Sequence, residues 1–231
     1  MVKEKIIQLK NTFLPNQQLD LVQQIVAGGV NGQEALFDLL VNRRITKQLD
    51  LSSLDGILFQ SLYSSEFESI QQKIKYHFSN GIVECDPSLK ADYQYLQNLL
   101  IQQNYQEADR ITQMELCKLV GLDKNKTRNW LYFTDISLIS SNDLELIDLL
   151  WRIYSRDKFG FSKQRQIWLD NHCNWEKFWL QIGWKFNGVP RRYPYEFIWD
   201  IEAPQGHLPL CNQLRGVQVL FALFNHIAWN K

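Results

Sequence analysis

From Pro87 to Pro190 the chain runs about a hundred residues without a proline, so continuous helical packing is open across the middle of the molecule. Helix-period runs fill it. Tyr93, Leu96, Leu99 and Leu100 share one face, and Tyr105 to Val120 carries Ala108, Ile111, Met114 and Leu119. The most regular stretch is Asp143 to Trp168, where Leu144, Ile147, Leu150, Trp151 and Tyr154 recur on one helix face. It runs into Phe159-Gly160-Phe161-Ser162. A glycine between two rings allows a sharp junction, and Ser162 is placed to cap the helix that follows. Asn174 opens a further helix with Trp175, Phe178, Trp179 and Ile182. Trp151 and Trp168, on periodic faces, are predicted core.

The N-terminal part differs in kind. All eight tryptophans lie between Trp130 and Trp229, and the earlier residues are rich in Gln, Leu and Ile instead. Residues 3–14 predict a helix stopped by Pro15. Asn16 to Val26 predicts a second, ending at Gly28-Gly29, and Gln33 to Arg43 a third. Ser52-Ser53-Leu54-Asp55 starts a fourth, and Glu66 to Phe78 forms a fifth. Ser79-Asn80-Gly81 and Pro87-Ser88 mark a boundary. The expected fold is therefore all-α: an N-terminal helical bundle over 1–82, then a larger all-helical domain over 88–231.

One segment of that domain breaks the helical pattern. Arg191-Arg192-Tyr193-Pro194-Tyr195-Glu196-Phe197-Ile198-Trp199 crowds rings, arginines and a proline together. It predicts a long ordered loop, the kind of segment that often carries function. Gly206-His207-Leu208-Pro209 predicts a tight turn, with His207 hydrogen-bonded inside it. The chain then closes on a helix from Leu214 with Val217, Leu220, Phe221 and Phe224.

Several function classes fall away. Lys plus Arg equals Asp plus Glu, so the basic footprint of a nucleic-acid binder is missing. No apolar run reaches the ~20 residues of a membrane span, and the N-terminus lacks the core of a secretory signal. Cys85, Cys117, Cys173 and Cys211 are widely spaced, which predicts reduced, unpaired thiols. Asp143, Glu145 and Asp148 lie close on one helix, but there is no nucleophile elbow, phosphate loop or metal-ligand spacing. A non-enzyme is expected.

Residues 90–230 resemble the genomes-uncoupled-four family of tetrapyrrole-binding proteins. The resemblance is carried by Ala108-Asp109-x-x-Thr112, by Asp143-Leu144-x-x-Ile147-Asp148-x-Leu150-Trp151-x-x-Tyr154-Ser155, by Phe159-Gly160-Phe161-Ser162-x-Gln164, by Gly183-Trp184, and by Ala203-Pro204-x-Gly206-His207-Leu208-Pro209. It departs where Ile139-Ser140-Ser141-Asn142 replaces a Phe-Pro-Cys run, and where Arg191-Arg192-Tyr193 replaces a loop tryptophan. It implies binding of protoporphyrin IX and its magnesium form, and stimulation of magnesium chelatase in chlorophyll synthesis without catalysis. The implied partners are porphyrin and the large porphyrin-binding subunit of the chelatase, with peripheral membrane association and a monomeric state. The implied location is the plastid stroma, for a plastid-encoded protein, or the cyanobacterial cytoplasm. Two rival readings remain: a helical protein-interaction module without ligand, and a haem or bilin sensor.

A porphyrin is a flat apolar disc with two propionates, so its site needs rings and aliphatic walls with cations at one rim. Phe133, Phe159, Phe161, Tyr193, Tyr195 and Phe197 are the candidate rings, each as open to core packing as to a wall. Leu119 and Val120 are candidates for the opposite side. Arg215, together with Arg191 or Arg192, is the candidate for the propionates, because guanidinium matches carboxylate with paired donors. Magnesium prefers oxygen ligands and keeps water, so Asn212 is the candidate to reach it directly or through water.

Overall fold

A computed structural model of the chain describes residues 2–86, 89–122, 128–210 and 216–230. The chain divides into two compact units, Met1–Glu84 and Cys85–Lys231. Both are helical, as the periodicity predicts.

The first unit holds α1 (Val2–Lys10), α2 (Pro15–Val26), α3 (Val30–Val41), α4 (Ser53–Tyr63) and α5 (Glu68–His77). Pro15 opens α2 instead of ending α1. A first-turn proline loses nothing there, because its missing N–H would have had no helical partner. Leu54, Ile57, Leu58, Phe59 and Leu62 of α4 are all buried, and α2, α3 and α5 pack on it. Its N-terminus is fixed twice. The Asp55 carboxylate accepts the Ser52 amide at 2.9 Å, and it accepts the Arg43 guanidinium at 2.7 and 3.0 Å through both oxygens.

The second unit holds α6 (Gln94–Ile101), α7 (Tyr105–Leu119), α8 (Phe133–Ile136), α9 (Ser141–Tyr154), α10 (Phe161–Asp170), α11 (Trp175–Gln181) and α12 (Val217–Phe224). Between α11 and α12 a two-residue antiparallel hairpin pairs β1 (Lys185–Phe186) with β2 (Val189–Pro190). Its turn is Asn187-Gly188, with φ of 49° and 77°, the Asn-Gly pattern that suits a tight hairpin.

Helix α9 is the axis of this unit and packs on α6 and α10. Its large buried rings and its first-turn carboxylate have hydrogen-bond partners. Trp151 Nε1–H donates to Thr112 Oγ1 at 3.0 Å. Tyr154 OH donates to Gln97 Oε1 at 2.6 Å, and Tyr93 OH to Asp143 at 2.6 Å. Buried polar groups held this way fix one packing of the core.

The Phe159–Ser162 elbow resolves differently from the prediction. Ser162 does not cap α10; Gly160 occupies the cap position. The cap comes from α9, where Asp148 accepts the Ser162 amide at 2.8 Å and the Ser162 hydroxyl at 2.7 Å. A carboxylate at a helix N-terminus is favoured by the unpaired amides and by the helix dipole.

Candidate functional site

The aromatic loop stands on the 206–210 turn. Gly160 N–H donates to Leu208 O at 3.0 Å, and Gly206 N–H to Lys158 O at 2.9 Å. Gln164 Nε2 donates to both Gly206 O and Pro209 O, at 3.0 and 2.8 Å. Trp184 Nε1–H donates to His207 O at 2.7 Å. The residues of the family motifs are thus a frame that grips the main chain.

His207 ties that frame to the loop. Its Nε2 accepts the Ile198 amide at 3.1 Å, so the ring proton sits on Nδ1 and is donated to Ile182 O at 2.7 Å. Burial lowers its pKa. The ring is a neutral strut with both nitrogens occupied, as its place in the turn predicts.

Above this base the loop presents its rings unequally. Tyr195 is 95% exposed and Tyr193 42% exposed. Tyr193 meets Trp199 edge-on at 5.9 Å, and Trp199 Nε1–H donates to Pro194 O at 2.9 Å. Phe197 is buried against His207 at 5.4 Å. Arg192 is exposed at the loop's start, where its amide donates to Glu196 at 2.7 Å. Arg191 turns inward and donates to the Glu196 carbonyl.

Helix α7 is the element that two exposed aromatic segments share. Tyr193 lies in the field of Asp109, Arg110 and Glu107 on its first half. Three residues on from Arg110, Gln113 Nε2–H donates to Asn129 O at 3.4 Å. That contact leads to Arg128, whose guanidinium lies 5.2 Å over Trp130 and 4.4 Å over Tyr132 while paired with Asp135 at 2.7 Å. Tyr132 and Phe133 follow, 50% and 49% exposed. Arg110 is held by Glu107 at 2.8 Å and lies against Met114. Arg110, Gln113, Trp130 and Tyr132 escape the sequence reading, and Met114, read with the apolar residues of this helix, is 40% exposed. Periodicity marks a helix face as outward and says nothing of what stands opposite it.

The site residues anticipated from sequence scatter accordingly. Phe133, Arg192, Tyr193 and Tyr195 are exposed on these two segments. For three of the candidate rings the structure favours the core alternative. Phe159 and Phe161 are 0% exposed and Phe197 5%. Phe159 packs on Tyr105 and Trp151 at 5.4 and 6.4 Å. Of the Arg191 and Arg192 alternatives, Arg191 braces the loop through the Glu196 carbonyl. Leu119 is buried and Val120 half-buried at the far end of α7. There a cleft of about 480 Å³ is lined by Lys90, Asp92, Glu115 and Lys118 with Leu119. Among the described residues its charges balance and no ring lines it, which does not suit a flat apolar ligand. Asn212 and Arg215 lie outside the described residues.

One group under the site is unusual. The Asp109 carboxyl is buried on α7 and accepts the Leu210 amide at 2.6 Å. Burial pushes its pKa up to about 7, the amide only partly offsetting that. Among the described residues no group of three His, Cys, Asp or Glu is arranged to hold a metal. Nor is any described helix long and apolar enough to cross a membrane.

Residues 86–227 match the profile of a family described as GUN4-like. The Uncharacterized protein ycf53 of Porphyra purpurea is 47% identical over 215 residues, 93% of this chain and 90% of that protein. The Ycf53-like protein of Synechocystis sp. is 38% identical, over 93% of this chain and 91% of its own length. The Tetrapyrrole-binding protein, chloroplastic, of Arabidopsis thaliana is 36% identical over 148 residues, 59% of this chain and 55% of that protein. Of solved structures, GUN4 from Chlamydomonas reinhardtii matches with a TM-score of 0.58 at 41% identity, covering 64% of this chain and 95% of that one. Ligand-free Arabidopsis thaliana GUN4 matches with a TM-score of 0.54 at 37% identity, covering 60% and 98%.

Proposed function

This chain belongs to the GUN4-like family, and on that premise we propose that it binds a tetrapyrrole over the outward face of α7. The loop Arg191–Trp199 stands on one side of the ligand and the segment Arg128–Phe133 on the other. The observation that carries the reading is the exposure of Tyr193, Tyr195, Tyr132 and Phe133 on segments whose backbones are braced. Rings held open to solvent on a fixed base offer a flat ligand contact at little ordering cost. The name of the Arabidopsis relative supports the ligand class.

The ligands are protoporphyrin IX and its magnesium form. Arg192 and Arg110 are two cations near the exposed loop ring Tyr193, and each can meet a propionate with paired donors; Arg128, over Tyr132, is already paired with Asp135. Arg215 is retained as a third propionate partner and Asn212 as an oxygen donor toward magnesium. A centrally bound magnesium ion supplies a hard Lewis acid that accepts such an oxygen or a water. The chain's role is to carry the porphyrin and stimulate magnesium chelatase without a catalytic step of its own, in a plastid or a cyanobacterium. The relatives from Porphyra, Synechocystis and Arabidopsis support that setting.

The test is a titration of the full chain with a soluble dipropionate porphyrin, following tryptophan fluorescence. Trp199 lies 5.9 Å from Tyr193, so bound porphyrin should quench it. Saturable one-to-one quenching, weakened in Tyr193→Ala, is the expected result. Quenching that never saturates removes the reading. Faster magnesium insertion by a reconstituted chelatase on adding the protein tests the regulatory role.

A further inference from the structure

The aromatic loop hangs from its frame at two points. At its start Arg191 N–H donates to Trp184 O at 2.9 Å. Near its end Ile198 N–H donates to His207 Nε2 at 3.1 Å. Among the described residues, the other hydrogen bonds of Arg191–Trp199 stay within the loop. Glu196 N–H donates to Arg192 O at 3.1 Å, Phe197 N–H to Pro194 O at 3.3 Å, and Trp199 Nε1–H to Pro194 O at 2.9 Å. The two anchors are themselves joined, since Trp184 Nε1–H donates to His207 O at 2.7 Å. They differ in kind. The Trp184 anchor is a main-chain carbonyl, which any residue there would supply. The His207 anchor is a side-chain nitrogen, so that tether depends on the identity of one residue.

From Ile198 the tether reaches the exposed rings by short steps. Phe197, the residue before, lies against the His207 ring at 5.4 Å. Trp199, the residue after, meets Tyr193 edge-on at 5.9 Å while its indole N–H holds Pro194 O. The other side of the imidazole is fixed to the frame, where Nδ1–H donates to Ile182 O at 2.7 Å. His207 is 0% exposed, so it acts through the loop and touches no ligand itself. We propose that His207 is a positioning residue of the tetrapyrrole site: its Nε2 holds Ile198 so that Tyr193 and Tyr195 are set in place before the ligand arrives. A loop ordered in advance loses little freedom on binding, so more of the contact energy appears as affinity. The proposal rests on the binding reading above and names the residue that arranges that site.

The two ring nitrogens can be removed separately. Asparagine carries a donor nitrogen at the reach of Nδ1, and glutamine an acceptor oxygen at the reach of Nε2. His207→Asn therefore keeps the contact to Ile182 O and leaves the Ile198 amide without its acceptor. His207→Gln keeps an acceptor for Ile198 and gives up the contact to Ile182. Positioning predicts that affinity follows the Ile198 contact, with His207→Asn weaker than His207→Gln by about fivefold, the worth of one hydrogen bond. A purely structural histidine would change the stability of the two variants and leave the affinity of their folded molecules alike.

Titration of the full chain with deuteroporphyrin IX, read by tryptophan fluorescence with urea unfolding of each variant alongside, tests this. The expected result is one-to-one binding by the wild type, and binding about fivefold tighter by His207→Gln than by His207→Asn. Equal affinities in the two variants, or tighter binding by His207→Asn, overturn the proposal and leave the binding reading intact. Absence of saturable binding by the wild type removes the binding reading and the proposal with it. If either variant does not fold, hydrogen exchange of the Ile198 amide in the ligand-free wild type decides. Exchange at least about tenfold slower than in an unstructured peptide supports a loop held in advance. Exchange at the unstructured rate overturns it.

Discussion

A Cβ placed on Gly160 would stand 2.9 Å from Asp148 Oδ1, the same oxygen that accepts the Ser162 amide at 2.8 Å. Gly160 also has φ of +128°, a conformation nearly closed to residues with a side chain. Gly160→Ala should therefore lower the stability of the second unit by about 2 kcal/mol or more, from backbone strain and displacement of the cap. Urea unfolding of the full chain measures it. A loss below half a kilocalorie would mean that Asp148 does not hold α10.

Tyr193 and Phe159 separate wall from core. Tyr193→Ala should weaken porphyrin binding about tenfold, the value of one stacked ring, with little change in stability. Phe159→Ala should cost about 3–5 kcal/mol of stability, as emptying a packed aromatic site does. Folded Phe159→Ala protein should still bind. Equal effects on affinity in both variants would place Phe159 in the site after all.

His207 gives a pH signature at the acid end. Its pKa is lowered by burial, so the folded chain prefers the neutral ring. The stability that follows is full above the ordinary histidine value of about 6.5, and is lost as pH falls through the lower folded value. Protonation would put a proton where the Ile198 amide now donates. Nitrogen NMR should find the Nδ1–H tautomer at pH 7.5, with no titration at 6.5. A ring that titrates at 6.5 would remove the strut.

Asp109 has the opposite sign. Its folded pKa of about 7 lies above the ordinary 3.8, so the folded chain holds this proton more tightly than the unfolded one. Its contribution is fullest below about pH 4 and is lost as pH rises to about 7, by an amount near 4 kcal/mol. Asp109→Asn should be more stable than the wild type, by a margin that grows between pH 5 and pH 8. Thermal melts across that range check it; a margin that shrinks with pH would contradict the burial of the charge.

The helices were legible because their apolar period is local, and α9 and α11 begin where Ser140 and Asn174 cap them. The Gly160, Gln164, Gly206 and His207 motifs were legible as a family pattern, yet their physical work is to hold main chain. The site was harder to read for two reasons. An aromatic side chain has the same sequence signature in a core as on a wall, so Phe159, Phe161 and Phe197 were grouped with Tyr193 and Tyr195. Contacts such as Asp109 to Leu210 join residues 101 apart, and no local pattern announces them. The Asp148 cap on Ser162, 14 residues away, was missed for the same reason.

The clasp around Gly206–Pro209 has a practical consequence. Gln164 and Trp184 grip carbonyl oxygens, which every amino acid presents alike. The scaffold is thereby insulated from the identity of the side chains at the loop tip. A combinatorial library varied at Arg192, Tyr193, Tyr195, Tyr132 and Phe133 should stay folded while its colour preference drifts, making this small helical frame a chassis for selecting receptors for other flat pigments.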